Sequence, residues 1–348
     1  MHIIKWFMIH FYGINIKRIT IFLIAAIFVF ACKKEENGGL ELLATDSMWS
    51  VSALDGWGDV IALSHEENDY SENIKIYQHS GVDNNRLINI SSVFSGVRTL
   101  YHRVTDIVVD SSNIIVVQNH NVYEIGWVSI IKVNSSESYK LDGIYTFPYT
   151  VDKSALFKNI LLTVSENIVY LYDVSGSSEP RLMKSFISTP EIGKIFQYPK
   201  GFYFLNSNGF SIINCTDTSN IMLNEKADQY LRNCIKGSKY GDNLYLSGPS
   251  KFAGCSKIVK VNISNPESPV ILCYKDDISE DFINFTYDRS GNYFLFTNKR
   301  IFKYVENNSS FMLKGFDMYN DYYRNWFYSI DKRIYAANSQ GVNLYGFK

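Results

Sequence analysis

Short apolar segments recur along the chain from residue 59 to its end. Each starts at an Asn, Asp, Gly or Arg and continues with branched, aliphatic and aromatic side chains. The seven segments are residues 59–63, 113–117, 159–163, 201–205, 243–247, 292–296 and 333–337. Branched and aromatic side chains favour β-strands, while Asn, Asp and Gly favour the tight turns before them. The pattern therefore predicts seven strands at regular intervals.

A second apolar segment follows each of these strands and completes a predicted hairpin. The partner segments are residues 73–77, 128–132, 169–172, 211–213, 258–261, 300–304 and 342–345. In the first partner, Ile74 and Ile76 alternate with Lys75, which is typical of a strand with one exposed face. No segment has the period of an amphipathic helix together with capping residues. The chain is therefore predicted to be all-β.

The spacing of these segments predicts how the hairpins are arranged. The first strands of successive pairs start 41 to 54 residues apart. Four strands in roughly 45 residues, repeated seven times, are typical of β-propeller blades, whereas a β-helix repeats over about 20–25 residues. We therefore expect residues 40–348 to form one domain, a β-propeller of seven blades with four antiparallel strands each.

The two ends of the repeat region predict how the ring closes. The last unit stops at Phe347 and Lys348, directly after its third strand. Residues 40–44, Leu-Glu-Leu-Leu-Ala, have strand character and follow the N-terminal linker. An N-terminal strand would complete the last blade and cover both sheet edges, which otherwise promote aggregation.

The first 39 residues differ in character from the rest. Lys5, Lys17 and Arg18 precede an apolar run, residues 19–31, which is shorter than the ~20 residues that span a bilayer. The run ends at a small residue before Cys32. This pattern predicts a signal peptide over residues 1–31 and a flexible linker over residues 32–39. An uncleaved N-terminal anchor is the alternative, and both Met1 and Met8 are candidate initiators.

Residues 29–32, Val-Phe-Ala-Cys, resemble the lipobox of bacterial lipoproteins, with Val29 where that family prefers Leu. The resemblance implies that Cys32 becomes the acylated, palmitate-bearing N-terminus and attaches the protein to a membrane. Residues 33–36, Lys-Lys-Glu-Glu, resemble the surface-export signal of Bacteroidetes-type lipoproteins. They imply an outer-membrane lipoprotein exposed at the cell surface, with a periplasm-facing location as the alternative.

Two segments resemble the LVIVD-type repeat of bacterial surface propellers. They are residues 171–180 and 261–270, in which Asp173 or Asn262 precedes Ser and Pro; weaker copies start at Ile131 and Ile213. Asp and Asn side chains bond backbone groups two residues on, and Pro fixes φ, so these segments predict the turn from third to fourth strand. The resemblance implies a fold and no particular activity.

Composition and charge exclude several classes of protein. Aromatic residues make up 15% of the chain and only 7 residues are Pro, which excludes a disordered or low-complexity chain. The leader contains three of the 34 basic residues, which leaves 31 against 35 acidic residues. We expect no nucleic-acid partner, because the mature chain has no excess of positive charge.

The sequence lacks motifs of catalysis and metal binding. Four His follow the leader, His65, His79, His102 and His120, and they form no HxxxH or HxH pair. Neither a G-x-S-x-G motif nor a Gly-rich phosphate loop occurs. We expect no metal and no cofactor, and a binding or scaffold module in preference to an enzyme. A propeller-type glycosidase or lyase is the alternative, because its carboxylates meet only in space.

Three long loops predict a ligand-binding face. In a propeller, the loops between second and third strands lie on the same face as the loops between blades. Residues 65–72, 118–127 and 248–255 are long loops of the first kind. Their candidate ligand-binding residues are Tyr70, His120, Tyr123, Trp127 and Phe252. Exposed aromatic faces suit sugar rings or protein patches, so we expect a monomer with a protein or glycan ligand. The alternative is that these residues only cover the ends of the blades.

Four Cys follow the leader. Cys255 and Cys273 flank the predicted turn between the third and fourth strands of one blade, which makes them a candidate disulfide in an exported protein. Cys215 and Cys234, in neighbouring blades, are a second candidate pair. The alternative is that all four are free thiols that pack as small apolar side chains.

Overall fold

The computed structural model describes residues 40–47, 49–66, 72–79, 89–93, 102–120, 122–135, 138–176, 179–188, 191–288, 290–297, 299–318, 326–330, 332–338 and 341–347. The predicted signal peptide, Cys32 and the linker lie outside these residues. Every regular element within the described ranges is a β-strand. The same ranges contain no helix long and apolar enough to span a membrane.

Within the described residues, 28 strands form seven four-stranded antiparallel sheets, one for each blade. Blade 1 contains β2 (Trp49–Trp57), β3 (Val60–Glu66), β4 (Glu72–Gln78) and β5 (Asn89–Val93). Blade 2 contains β6 (His102–Val109), β7 (Asn113–His120), β8 (Gly126–Ser135) and β9 (Ser138–Phe147). Blade 3 contains β10 (Lys153–Phe157), β11 (Ile160–Ser165), β12 (Ile168–Asp173) and β13 (Arg181–Ile187). Blade 4 contains β14 (Ile192–Tyr198), β15 (Gly201–Asn206), β16 (Gly209–Asn214) and β17 (Leu223–Ala227).

The remaining blades follow the same order. Blade 5 contains β18 (Lys236–Tyr240), β19 (Asn243–Pro249), β20 (Ser256–Asn262) and β21 (Val270–Ile278). Blade 6 contains β22 (Phe282–Tyr287), β23 (Asn292–Thr297), β24 (Arg300–Asn307) and β25 (Ser310–Met318). Blade 7 contains β26 (Trp326–Ile330), β27 (Arg333–Asn338), β28 (Gly341–Phe347) and, as its outermost strand, β1 (Leu40–Ser47).

This arrangement confirms the predicted seven-bladed β-propeller. The seven predicted hairpins are the second and third strands of the seven blades. Second strands carry the strongest apolar signal because neighbouring blades cover both of their faces. The second strands β11, β15 and β23 are buried along their whole length.

Closure of the ring by an N-terminal strand is also confirmed. The strand β1 runs antiparallel to β28, from the pair Leu40 and Phe347 to the pair Ser47 and Gly341. At Gly341 the backbone has a φ of 136°, and a Cβ there would lie 2.2 Å from the Asp46 carbonyl oxygen. Only glycine therefore allows the two strands to approach so closely at this end.

Seven apolar clusters of described residues hold the ring together, one at each boundary between neighbouring blades. Leu162 of blade 3, for example, shares a cluster with Phe202 and Phe204 of blade 4. The largest fully buried side chains are aromatic: Tyr77, Tyr203, Tyr293, Tyr335, Phe147, Phe202, Phe204, Phe294 and Phe296. The aromatic-rich composition thus serves mainly to fill the boundaries between blades.

A polar contact fastens β1 to the next blade. The Asp46 carboxylate of β1 accepts hydrogen bonds from the Lys75 ammonium at 2.9 Å and from the Tyr77 hydroxyl at 2.7 Å, both on β4 of blade 1. Burial works against the charged carboxylate, but these two hydrogen bonds hold the pKa of Asp46 below its ordinary value. The contact links the first and last blades through the N-terminal strand.

Side-chain turns connect third and fourth strands as the Asp and Asn residues predict. The Asp173 side chain accepts a hydrogen bond from the backbone N–H of Ser175 at 2.9 Å. Asn214 and Asn262 do the same with the N–H groups two residues on, each at 3.0 Å. Three blades therefore use the same local device to end the third strand.

The candidate disulfide between Cys255 and Cys273 is not formed. Cys255 immediately precedes β20, whereas Cys273 lies opposite Lys260, five residues further along that strand. Five residues of strand span about 16 Å, far beyond the roughly 7 Å that separates the Cα atoms of a disulfide. Cys215, Cys234, Cys255 and Cys273 are all free thiols. Burial raises the pKa of Cys215, Cys234 and Cys273 to about 11.

Replacing Asp46 with Asn should lower the free energy of unfolding by about 1–2 kcal/mol at pH 7, because the charge-assisted hydrogen bonds to β4 are lost. The depressed pKa means that Asp46 stabilises the fold above its ordinary pKa of 3.8 and loses this effect as the pH falls through the folded-state value. The two proteins should therefore converge in stability in acid. Urea unfolding at several pH values measures both effects.

Asp142→Asn is the matched control for this experiment. Asp142 also contacts a lysine ammonium, that of Lys132, at 2.9 Å, but both side chains are exposed. Such a surface pair contributes less than about 1 kcal/mol. Equal urea midpoints for the Asp46 and Asp142 variants would show that the contact does not fasten β1.

Candidate functional site

The innermost strands of the seven blades surround a central channel. These strands are β2, β6, β10, β14, β18, β22 and β26. The channel contains a cavity of about 430 Å³, lined by residues from all seven innermost strands. Because the strands converge here, side chains from blades distant along the chain come together.

One level of the channel carries a group of charged side chains. Lys153 and Lys236 pair with the fifth residues of β11 and β19, and Asp106 pairs with the fifth residue of β7. Asn284 has the equivalent place in blade 6, and Lys194 lies within an irregularity of β14 at that level. Blades 3, 4 and 5 therefore each contribute a lysine to this level.

An ion pair crosses the channel. The Lys194 ammonium of blade 4 lies 3.6 Å from the Asp55 carboxylate of blade 1. The same carboxylate oxygen accepts a hydrogen bond from the backbone N–H of Val109 at 3.0 Å. Burial opposes the charge on Lys194, but the carboxylates of Asp55 and Asp106 raise the pKa of Lys194 above its ordinary value.

The other charged groups of this level are less well compensated. Burial raises the pKa of Asp106, and the Asp55 charge acts in the same direction, against Lys194 and Lys153. Burial lowers the pKa of Lys236, and the charges of Lys194 and Lys153 lower it further, against the two aspartates. In the described part of the chain, neither Lys153 nor Lys236 forms an ion pair.

Side chains span the channel where the innermost strands end. Trp57 of blade 1 stacks on Tyr240 of blade 5, with ring centroids 6.3 Å apart and planes inclined by 15°. The Gln197 side-chain amide of blade 4 donates a hydrogen bond of 2.9 Å to the Asp110 carboxylate of blade 2. These contacts form an aromatic and polar floor, and the lysines lie further toward the start of the strands.

Three of the predicted ligand-binding residues come together on blade 2. His120 ends β7, and its Nδ1 accepts hydrogen bonds of 3.0 Å from the backbone N–H groups of Val122 and Tyr123. The His120 ring centroid lies 4.7 Å from that of Tyr123 and 6.4 Å from that of Trp127. Tyr123 is 64% exposed. We call His120, Tyr123 and Trp127 the blade 2 aromatic cluster.

The other two predicted residues do not join this cluster. Phe252 is exposed in the loop between β19 and β20 of blade 5, with the Lys251 ammonium 5.0 Å from its ring centroid. Blades 3 and 4 separate blade 5 from blade 2 along the chain order of the ring. Tyr70 lies outside the described residues.

Sequence reasoning missed the channel lysines, although a signal for them exists. Lys153, Lys194 and Lys236 are 41 and 42 residues apart, nearly the same interval as the second strands of their blades. A lysine that repeats with the blade period marks one level of the channel. Among the described residues, no group of three or more His, Cys, Asp or Glu is arranged to hold a metal ion.

Comparisons with known proteins bear on the fold. No family model matches the chain, and no curated protein sequence matches it. A chain in the crystal structure of the mitotic checkpoint complex is similar at 11% identity and a TM-score of 0.56, over 88% of this chain and 95% of that one.

Two bacterial structures are similar in the same way. A protein from Lactobacillus plantarum matches at 13% identity and a TM-score of 0.54, over 80% of this chain and 86% of that one. BamB from Moraxella catarrhalis matches at 8% identity and a TM-score of 0.51, over 89% of this chain and 98% of that one. At these identities the likeness shows a shared propeller fold alone.

Replacing Lys194 with Met should lower the free energy of unfolding by about 1–2 kcal/mol, because Asp55 and Asp106 lose the cation that compensates them. Adding Asp55→Asn to this variant should restore part of the loss, and a double-mutant cycle in urea measures that coupling. Lys184→Met, an exposed lysine on β13, is the control. Equal destabilisation by Lys194→Met and Lys184→Met would contradict the cross-channel ion pair.

Proposed function

We propose that this protein is a non-catalytic, lipid-anchored binding module of the cell envelope, which holds a protein or glycan at the loop face of its propeller. The observation that carries the proposal is the blade 2 aromatic cluster. Its exposed Tyr123 is held in place by a turn that the His120 imidazole caps. A rigid aromatic side chain on a loop binds a partner without a large loss of conformational entropy.

The fold supports a role in binding. A rigid ring presents many independent loops on one face, and those loops can vary while the blades keep their packing. One of the structures similar to this chain belongs to the mitotic checkpoint complex, so the same fold works there within an assembly. We infer that this propeller likewise meets a macromolecular partner.

The envelope location rests on the N-terminal sequence. The lipobox-like residues 29–32 and the charged residues 33–36 supply an acylation site and an export signal. The LVIVD-like segments, whose Asp173 and Asn262 form side-chain turns, are consistent with a bacterial surface propeller. We place the protein on the outer membrane, facing outward, as a monomer attached through its lipid.

A carbohydrate-active enzyme is the second candidate, and one observation favours it. Asp55 and Asp106 line the same cavity, and burial raises the pKa of Asp106 while Asp55 is held by Lys194 and a backbone N–H group. Two carboxylates in unlike environments are the usual equipment of glycosidases.

Replacing Cys32 with Ser should abolish incorporation of labelled palmitate and release the protein from the membrane fraction. The experiment uses the full chain expressed in a Bacteroidetes-type host. Replacing residues 33–36 with Ala is the matched variant, which should keep the lipid but lose accessibility to an external protease. Membrane retention of Cys32→Ser would contradict lipid anchoring, and unchanged protease accessibility of the Ala variant would contradict the export signal.

Replacing Tyr123 or Trp127 with Ala should weaken ligand retention about tenfold or more without a change in melting temperature. Retention is measured on glycan arrays and against solubilised envelope proteins, with Leu182→Ala, an exposed residue of β13, as the control. Retention equal to that of the control would move the site elsewhere. Shortened glycans in the product analysis, lost in Asp106→Asn, would favour the enzyme instead.

A further inference from the structure

The lysines of the central channel have no counterpart in the proposed loop-face site. Three lysines and two aspartates line the cavity, yet only Lys194 and Asp55 approach within ion-pair distance among the described residues. Lys153 and Lys236, on the blades to either side of Lys194, form no ion pair. The lysine side of the channel therefore carries positive charge that the protein itself does not neutralise.

The fold does not require charge at this level. Blade 1 has Ala53 at the equivalent position, opposite the fifth residue of β3, and blade 6 has Asn284. Small or neutral residues thus satisfy the packing of the innermost strand. Burial and the two neighbouring lysines lower the pKa of Lys236, so gathering the three cations costs stability. Such a cost, at a cavity wall, is typical of a binding site.

The cavity has the size and lining of a small-molecule site. Its volume of about 430 Å³ falls within the roughly 300–1,000 Å³ of ligand pockets. The stacked pair of Trp57 and Tyr240 forms an aromatic floor, and Asn284 belongs to the polar wall at the lysine level. An aromatic floor suits the apolar face of a sugar ring, and lysine ammonium groups suit a carboxylate.

We propose that the central channel binds an acidic monosaccharide unit, a uronate, with its carboxylate between Lys153 and Lys236 and its ring toward Trp57 and Tyr240. The site lies on different strands from the blade 2 aromatic cluster. It does not depend on the proposed loop-face ligand, and failure of either site leaves the other standing.

Isothermal titration of the full chain in detergent with glucuronate, and with glucose as the neutral counterpart, tests this proposal. Glucuronate should bind about tenfold or more tightly than glucose. Lys153→Met and Lys236→Met should each weaken glucuronate binding about tenfold or more, because each removes one charge-assisted contact. Lys184→Met and Tyr123→Ala should bind glucuronate as the wild type does.

Several results would overturn the proposal. These are no binding of glucuronate, equal binding of glucose, or unchanged affinity of the Lys153 and Lys236 variants. Inorganic phosphate that binds as tightly as glucuronate, and is lost in the same variants, would show a simple anion site and reject the sugar.

A measurement on the unmodified protein keeps the test independent of the variants' folding. Glucuronate should protect Lys153 and Lys236 from acetylation, as read by mass spectrometry, whereas glucose should not. Lys184 should react equally in both cases. Equal labelling of Lys153 and Lys236 with and without glucuronate would overturn the proposal even if a Met variant failed to fold.

Discussion

Burial of apolar surface between neighbouring blades is the interaction on which the rest of the molecule depends. A four-stranded sheet has two faces, and a strand such as β15 has apolar residues directed to both of them. Only a closed ring gives every face of every blade a partner, which is why the described residues form seven clusters at seven boundaries. The N-terminal strand β1 completes the last blade, and Asp46 ties it to the first.

Ring closure also creates the two candidate sites. Converging innermost strands leave a channel, and residues more than a hundred positions apart in sequence, such as Asp55 and Lys194, meet across it. Loops at the ends of the blades take no part in the apolar clusters, so they are free to carry residues such as Tyr123. The same packing therefore supplies a rigid wall for a small ligand and a rigid frame for an exposed surface.

The strand pattern predicted the propeller well, because second strands buried on both faces produce the clearest apolar signal. Residues 40–44 were placed correctly because the last unit lacked a fourth strand. The blade 2 aromatic cluster was predicted in its members, since His120, Tyr123 and Trp127 are neighbours in one hairpin. The Cys255–Cys273 pair was wrong because strand register, which periodicity does not reveal, sets the two residues far apart.

The sequence by itself determined the all-β class, the number of blades and the strand that closes the ring, because each follows from local periodicity and the count of repeats. Only the tertiary structure decided which charged residues share the channel. Lys153, Lys194 and Lys236 look like isolated surface lysines along the chain, and Asp55 lies two blades before the first of them. Their association depends on how seven innermost strands converge, and contacts across a ring join residues whose sequence separation carries no trace of them.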